Sequence, residues 1–276
     1  MNSTNETLQE MISVLMLSYN HEAFIKQALE SILAQEYDAE FEIIVADDGS
    51  TDNTEDEVNR IINTHPKGNC IRFFKHEKNK GLMANFVWSL KQARGNYVAL
   101  CEGDDFWIDP KKLKNQQAFM EMNPGYSLFC NNIVHVNEDG SERSDRWPGF
   151  THSFKISYRL IGEEYPVATN TLFIRKKSLD KVINAMEFMI KPSALGDYSL
   201  ISLLLSQGPG YYSPKVVAAY RHHKAANFST NSIQEKVKRG LVTRDLLIAY
   251  WIKHFNWLFA LIALKNRRKF KNRYLL

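Results

Sequence analysis

Apolar and polar positions alternate along the first hundred residues in a repeating pattern. Ile12 to Leu17 and Phe41 to Ala46 are apolar runs, each followed by polar residues that open a helix-like segment, which is how strands buried on both faces read. Between them Ala23, Ile25, Ala28, Leu29, Ile32 and Leu33 recur at helical spacing. The unit returns as a helix over Asp52 to Ile62, a strand over Ile71 to Lys75, a helix over Leu82 to Ala93 and a strand over Tyr97 to Cys101. Strands alternating with helices predict right-handed βαβ units and a parallel sheet.

After Asp109-Pro110 the rhythm changes. The pattern predicts a helix over Lys111 to Met122, one or two strands over Tyr126 to Val136, a hairpin turn at Asn137-Glu-Asp-Gly140 and an irregular polar stretch over residues 138–152. Val167 to Ile174 and Val216 to Tyr220 read as strands, and Lys176 to Phe188 and Ala194 to Gln207 as helices. From Ser232 one long helical pattern runs to about Leu264.

The 276 residues are 44% hydrophobic and 24% charged, enough for one large domain or two small ones. Formal net charge is +4, but the last twelve residues, 265–276, hold six Lys/Arg and no acid; removing those six charges leaves −2 for residues 1–264. The basicity belongs to the tail, so a nucleic-acid partner is not expected. Cys70, Cys101 and Cys130 are widely spaced, odd in number and set in apolar contexts, which suits a reducing compartment. Residues 1–10 lack the basic start and apolar core of a signal peptide, and no apolar run reaches the roughly 18 to 20 residues of a membrane span. The expected location is cytoplasmic, peripheral on the inner face of the cell membrane.

In open parallel sheets, ligands bind beyond the carboxyl ends of the strands. The first strand ends in Ser18-Tyr19-Asn20, the second in Asp47-Asp48-Gly49-Ser50 and the fourth in Glu102-Gly103-Asp104-Asp105. Carboxylates converging on one crevice repel one another unless a cation compensates, and Mg²⁺ or Mn²⁺ takes one or two protein carboxylates while substrate phosphates fill its other positions. The implied ligand is a diphosphate. Tyr19 offers a ring for a base to stack on, and Asp48 an acceptor for a base N–H. The structural alternative for Asp-Asp-Gly-Ser-Thr-Asp is a turn followed by a helix capped by Asp52.

Ser18-Tyr19-Asn20, Ala46-Asp-Asp-Gly-Ser-Thr-Asp52, Asn79-Lys80-Gly81 and Gly103-Asp104-Asp105 together resemble the inverting glycosyltransferases of family 2, over roughly residues 11–230. The resemblance implies a GT-A (Rossmann-like) α/β fold: a mostly parallel sheet flanked by helices, with a C-terminal helical extension. It implies a catalytic domain over 1–230, divided into a nucleotide-sugar half (1–110) and an acceptor half (111–230), and an amphipathic helix with a basic tail over 231–276. It further implies that Ser18, Tyr19, Asn20, Asp48 and Lys80 bind the nucleotide, that Asp104 approaches the ribose and that Asp105 ligates Mg²⁺ or Mn²⁺ on the diphosphate. Glu102 stands where many relatives have Asp and is read as a supporting charge.

Gly196-Asp197-Tyr198 fits the place where the family carries its base, so Asp197 is the expected catalytic residue. Tyr220-Arg221-His222-His223 resembles the family's Tyr-Arg-x-His, making His223 a second metal ligand, with Arg221 and Lys224 adding charge against the diphosphate. Trp107 and Ala168-Thr-Asn-Thr171 are expected to border the acceptor, and Trp147 to sit in a flap over the sugar. The reading is a metal-dependent transferase of a sugar from a nucleoside-diphosphate donor to a hydroxyl of a glycan or lipid-linked acceptor, in surface-polysaccharide synthesis.

Two rivals stand beside it. A nucleotidyltransferase would carry a glycine-rich basic loop after the first strand, where Ser-Tyr-Asn-His stands; a non-catalytic nucleotide-sugar binder would lack the base. The aromatic stretch with Trp251, Phe255, Trp257, Leu258 and Phe259, followed by the basic tail, suits an anionic membrane surface. Its alternative is packing on the catalytic domain or on a second subunit in a homodimer.

Overall fold

The computed structural model describes residues 11–145, 147–191, 193–224 and 232–275. Residues 1–10 and the expected boundary at 230/231 lie outside them.

The first half follows the apolar pattern. Strands β1 (Ile12–Ser18), β2 (Phe41–Asp47), β3 (Ile71–Lys75) and β4 (Tyr97–Leu100) alternate with helices α1 (Ile25–Leu33), α2 (Thr54–Thr64) and α3 (Leu82–Gln92). Every residue of β2 and β4 is buried, as central strands covered on both faces require. The second half contains β5 (Phe106–Trp107), α4 (Lys112–Met122), β6 (Leu128–Val136), β7 (Phe154–Ile156), β8 (Phe173–Arg175), α5 (Lys176–Phe188), α6 (Gly196–Leu204), β9 (Gly210–Arg221), α7 (Ile233–Lys253) and α8 (Trp257–Leu275).

The strands form one sheet in the order β3-β2-β1-β4-β8-β6-β9-β5, with β7 beside β9. β1 pairs in parallel with β2 and β4, and β2 with β3. β8 is antiparallel to both β4 and β6, and β9 is parallel to β6. Two reversals restore direction, so β6 and β9 end on the same edge as β1, β2 and β4. This edge carries the acids and imidazoles of the candidate site.

One apolar core lies under α3, α5, α6 and the C-terminal helices; the other lies under α1, α2 and α4. Cys101 and Cys130 are buried, and all three cysteines are free.

Three elements depart from the pattern. The strand expected over Val167 to Ile174 shortens to β8, because residues 169–171 form a 3₁₀ turn in which Thr171 Oγ1 donates to Ala168 O at 2.8 Å. β9 begins six residues before Val216: the ladder with β6 steps from Ser213 to Val216, leaving Pro214, which has no N–H, outside it. The long C-terminal helix is two helices. Phe255 adopts φ 54°, its N–H donates to Ile252 O at 3.0 Å and Asn256 N–H donates to Trp251 O at 2.9 Å, a Schellman stop without its usual glycine.

The inner face of this helical pair packs on the body. Leu195 N–H donates to Thr243 Oγ1 at 2.8 Å, Asn266 Nδ2 donates to Tyr158 O at 2.9 Å, and the buried Arg244 guanidinium lies 4.2 Å from the Tyr198 ring and 3.9 Å from that of Phe270. Among the described residues no helix is long and apolar enough to cross a membrane.

Candidate active site

The register of β1 explains how distant motifs meet. Ser18 pairs with Asp47, so the ends of β1 and β2 lie side by side. Beyond β4, Cys101 N–H donates to Leu15 O and Gly103 N–H to Leu17 O, carrying Glu102, Asp104 and Asp105 to the same level. β9 ends alongside, and Arg221 N–H donates to Asp105 Oδ1 at 2.9 Å.

The Asp-Asp-Gly-Ser turn contains both roles considered from sequence. Asp47 is structural: its Oδ1 accepts from the N–H groups of Gly49 and Ser50, and its Oδ2 from Ser50 Oγ at 2.5 Å. Gly49 has φ 78°, and a Cβ there would stand 3.1 Å from Asn79 N. Asp48 is 4% exposed and accepts from the N–H groups of Lys80 and Gly81 at 2.8 and 3.0 Å, which ties the Asn-Lys-Gly turn to the β2 end. Asp52 reaches back to Glu22 N–H while accepting from Thr54 N–H at the start of α2.

Among the residues at and just beyond the end of β1, Asn20 is a stitch. It sits at φ 55°, its N–H donates to Ser50 Oγ and its Oδ1 accepts from Thr51 N–H at 2.9 Å. Tyr19 is 42% exposed, as a stacking surface needs to be, and Ser18 Oγ is buried without a hydrogen-bond partner. The Lys80 ammonium lies over the Trp88 ring at 6.0 Å.

The two aspartates after β4 occupy different environments. Asp104 Oδ2 lies 3.0 Å from His223 Nε2 and 3.6 Å from His21 Nε2. Burial opposes its charge, but the His223 hydrogen bond and the two imidazoles outweigh that and hold its pKa below the usual carboxylate value. Asp105 sits beneath, 3% exposed, with Oδ1 on Arg221 N–H and Oδ2 on Asn170 Nδ2 at 2.8 Å. Burial and the charges of Asp104 and Glu102 push its pKa well up. Both Asp105 oxygens are thus engaged by the protein itself. Asp104, expected near the ribose, faces the two imidazoles, and Asp105, expected to ligate the metal, faces Arg221 and Asn170.

Glu102, read from the sequence as a supporting charge, stands near Asp104 and Asp197. Its Oε2 is buried without a hydrogen-bond partner, and burial first, then Asp104 and Asp197, push its pKa up to about 8. An unpaired buried carboxyl between two other acids is costly, and such sites concentrate where ligands bind. The sequence signal was present in Glu102-Gly-Asp-Asp; what distinguishes its three acids is the partners that each oxygen meets. His21, following Ser-Tyr-Asn directly, was overlooked as well, and burial lowers its pKa.

Asp197 opens α6 and is half-buried. Gly196 permits this close approach, since a Cβ would lie 2.9 Å from Phe86 Cδ1. Tyr165 Oη donates to Asp197 Oδ2 at 2.9 Å, and the Trp147 ring is stacked on Tyr165 at 6.4 Å. Burial raises the Asp197 pKa; the Tyr198 N–H, Tyr165 and the charge of Arg239 oppose it. Trp147 is 44% exposed, while Trp107, expected at the acceptor border, is buried with Nε1 donating to Asn170 O at 2.9 Å. Asn170 and Thr171 are equally internal. Arg221 is a clamp: it donates to Asp104 O, Glu138 O and Gln27 Oε1. Lys224 is exposed and, with Asn20, Thr51, Glu138 and His223, lines an open cleft of about 410 Å³ on the α1 side; neither Glu102 nor Asp197 borders it.

A sheet whose strand ends gather acids and imidazoles over one crevice is the architecture of the GT-A glycosyltransferases. The chain belongs to glycosyltransferase family 2: the family's description, Glycosyl transferase family 2, matches residues 13–183. A Mycobacterium tuberculosis protein described as uncharacterized is 29% identical over 77% of this chain, which spans 59% of that relative's length. An Escherichia coli relative named UDP-Glc:alpha-D-GlcNAc-diphosphoundecaprenol beta-1,3-glucosyltransferase WfaP is 27% identical over 86% of this chain and 87% of its own. Among solved structures, S. aureus TarS (residues 1–349, with UDP-GlcNAc) superposes with a TM-score of 0.67 at 20% identity over 86% of this chain and 66% of that one. The mannosyltransferase PcManGT from Pyrobaculum calidifontis, with GDP-Man and Mn²⁺, gives 0.63 at 14% over 94% and 74%. These structural likenesses speak to the fold.

Proposed function

We propose that this chain is an inverting glycosyltransferase that moves a sugar from a nucleoside-diphosphate sugar to a hydroxyl of a glycan or lipid-linked glycan, in surface-polysaccharide synthesis. The observation that carries this reading is the placement of Asp104, flanked by His223 and His21, on the same sheet edge as the half-buried Asp197 held by Tyr165. Residues 1–110 form the donor half, 111–230 the acceptor half and 231–276 an extension.

In this reading Tyr19 stacks on the base, Asp48 and the Lys80 turn shape the nucleotide end, with Ser18 and Asn20 behind them, and Glu102 receives a donor hydroxyl. Asp104 and His223 fit a divalent ion, since a carboxylate and an imidazole converge within hydrogen-bond distance at the mouth of the crevice. Mg²⁺ or Mn²⁺ held there would neutralise the diphosphate and, as a Lewis acid, stabilise its departure. Asp197 takes the acceptor hydroxyl proton while that oxygen bonds to the anomeric carbon. The bond from that carbon to the diphosphate oxygen breaks on the opposite face, and the electron pair leaves with the nucleoside diphosphate. The names of the E. coli relative and the S. aureus complex support a uridine donor and an undecaprenol-linked acceptor.

The outer face of the C-terminal helices suits an anionic bilayer. Ile252, Phe255, Trp257, Leu258, Leu261 and Leu264 are exposed, Phe255 to 79%. Lys265, Arg268, Lys271 and Arg273 are exposed beyond them, whereas Arg267 and Lys269 are ion-paired with Asp245 and Glu163. The inner face packs on the body, and the outer face is the one assigned here to the membrane.

A panel of nucleotide sugars, scored by thermal stabilisation with Mn²⁺ and then by transfer to an undecaprenol-linked sugar, tests the function. Asp197→Asn is expected to abolish transfer and retain donor stabilisation. Stabilisation by no nucleotide sugar, or full turnover in that variant, would overturn the reading.

A further inference from the structure

A second group of metal-binding side chains stands apart from the crevice. β6 and β9 run in parallel with His135 opposite Tyr220, and His222 N–H donates to Val136 O, so His135 and His222 flank one another at the ends of these strands. His135 Nδ1 lies 2.8 Å from His222 Nε2. With a carboxylate oxygen of Asp145, these atoms all lie within 4.8 Å of one another. Among the described residues this is the one such group of three.

We propose that His135, His222 and Asp145 form a binding site for a zinc-like divalent ion, which fastens the Trp147 segment to the ends of β6 and β9. His135 Nε2 lies 2.8 Å from Trp147 O, a carbonyl that can only accept. The proton therefore sits on Nε2, and Nδ1 presents its lone pair to the cluster. A metal-ligating histidine is fixed in this way, by its other ring N–H on a carbonyl. Two imidazole nitrogens and one carboxylate oxygen, with a fourth position open to water, suit Zn²⁺ or Co²⁺ in tetrahedral coordination better than octahedral Mg²⁺.

The cluster also closes without an ion. His222 Nε2–H then donates to His135 Nδ1, and Asp145 Oδ2 pairs with Arg143 Nε at 2.5 Å. Metal binding would displace that proton and turn Asp145 from Arg143. The consequence is local order: Trp147, whose carbonyl holds His135, also stacks on Tyr165, which bonds Asp197. An ion here would hold the aromatic wall beside Asp197.

The test uses the full chain, stripped of metal and kept in excess Mg²⁺ so that the crevice acids are satisfied. Titration with Zn²⁺ by calorimetry is expected to show one saturable site, and Co²⁺ a tetrahedral visible absorption band. His222→Gln, which alters the less buried histidine, should lose both signals, and Asp104→Asn should keep them. Zn²⁺ should slow tryptic cleavage after Arg143 in the unaltered chain and not in His222→Gln. Absence of Zn²⁺ binding under Mg²⁺, undiminished affinity in His222→Gln, or loss in Asp104→Asn would each overturn the site. Should His222→Gln prove misfolded by circular dichroism, Asp145→Asn decides: weakened Zn²⁺ binding supports the three-ligand site, and unchanged affinity removes it.

Discussion

Tyr165 Oη donates a 2.9 Å hydrogen bond to Asp197 Oδ2, coupling the wall of the crevice to the carboxylate that opens α6. Burial favours the neutral acid at Asp197, and the phenol offsets part of this by stabilising the anion. A base must be ionised to accept a proton. Tyr165→Phe removes a stabiliser of the ionised form, so the Asp197 pKa rises further and the acid limb of the kcat profile moves to higher pH. Turnover at low pH should fall more than turnover at high pH; a uniform fall at all pH values would assign Tyr165 to packing alone.

The adjacent aspartates should separate cleanly on mutation. Asp105→Ala leaves Arg221 N–H buried without its acceptor, at roughly 1 to 3 kcal/mol, and strips Asn170 Nδ2 of one of its two acceptors, Ala219 O remaining. Chemical denaturation is expected to show a loss of a few kcal/mol. Asp104→Ala should unfold near the unaltered midpoint yet lose Mn²⁺-dependent donor binding in calorimetry; the reverse pattern would return the metal to Asp105.

Glu42 gives a pH dependence unrelated to the site. Burial opposes its charge, but Ser13 Oγ, Arg94 N–H and Arg72 outweigh it, and its pKa falls below the ordinary 4.5. The folded state therefore binds this proton less readily than the unfolded chain. The stabilisation is complete above the unfolded value and is lost as pH falls through the folded one. Glu42→Gln is expected to lower Tm at pH 7, with the gap to the unaltered protein narrowing below about pH 4.

Phe255 is strained and exposed together. Its left-handed backbone costs about 1 to 2 kcal/mol in a residue other than glycine, and its side chain is 79% exposed. Phe255→Gly should raise Tm by relieving that strain, while weakening sedimentation with phosphatidylglycerol vesicles and leaving the weak response to phosphatidylcholine unchanged. Undiminished sedimentation with phosphatidylglycerol would remove the tip from the membrane face.

The apolar runs and helical spacings determined the first half by themselves, because strands buried on both faces and helices with one buried stripe leave periodic marks. They also located the crevice, since each motif follows a strand. Tertiary structure alone decided which partners each acid meets. Asp104 and Asp105 are neighbours in sequence, yet one meets two imidazoles while the other is clasped by Arg221 and Asn170, residues brought there by β9 and the 3₁₀ turn before β8. Burial of Glu102, the Tyr165 bond to Asp197 and the pairing of His135 with His222 likewise depend on contacts across long stretches of chain. A local pattern records the period of an element and the residues that end it. It does not record which distant side chain arrives to occupy an oxygen, and that arrival separates a ligand-facing carboxylate from a structural one.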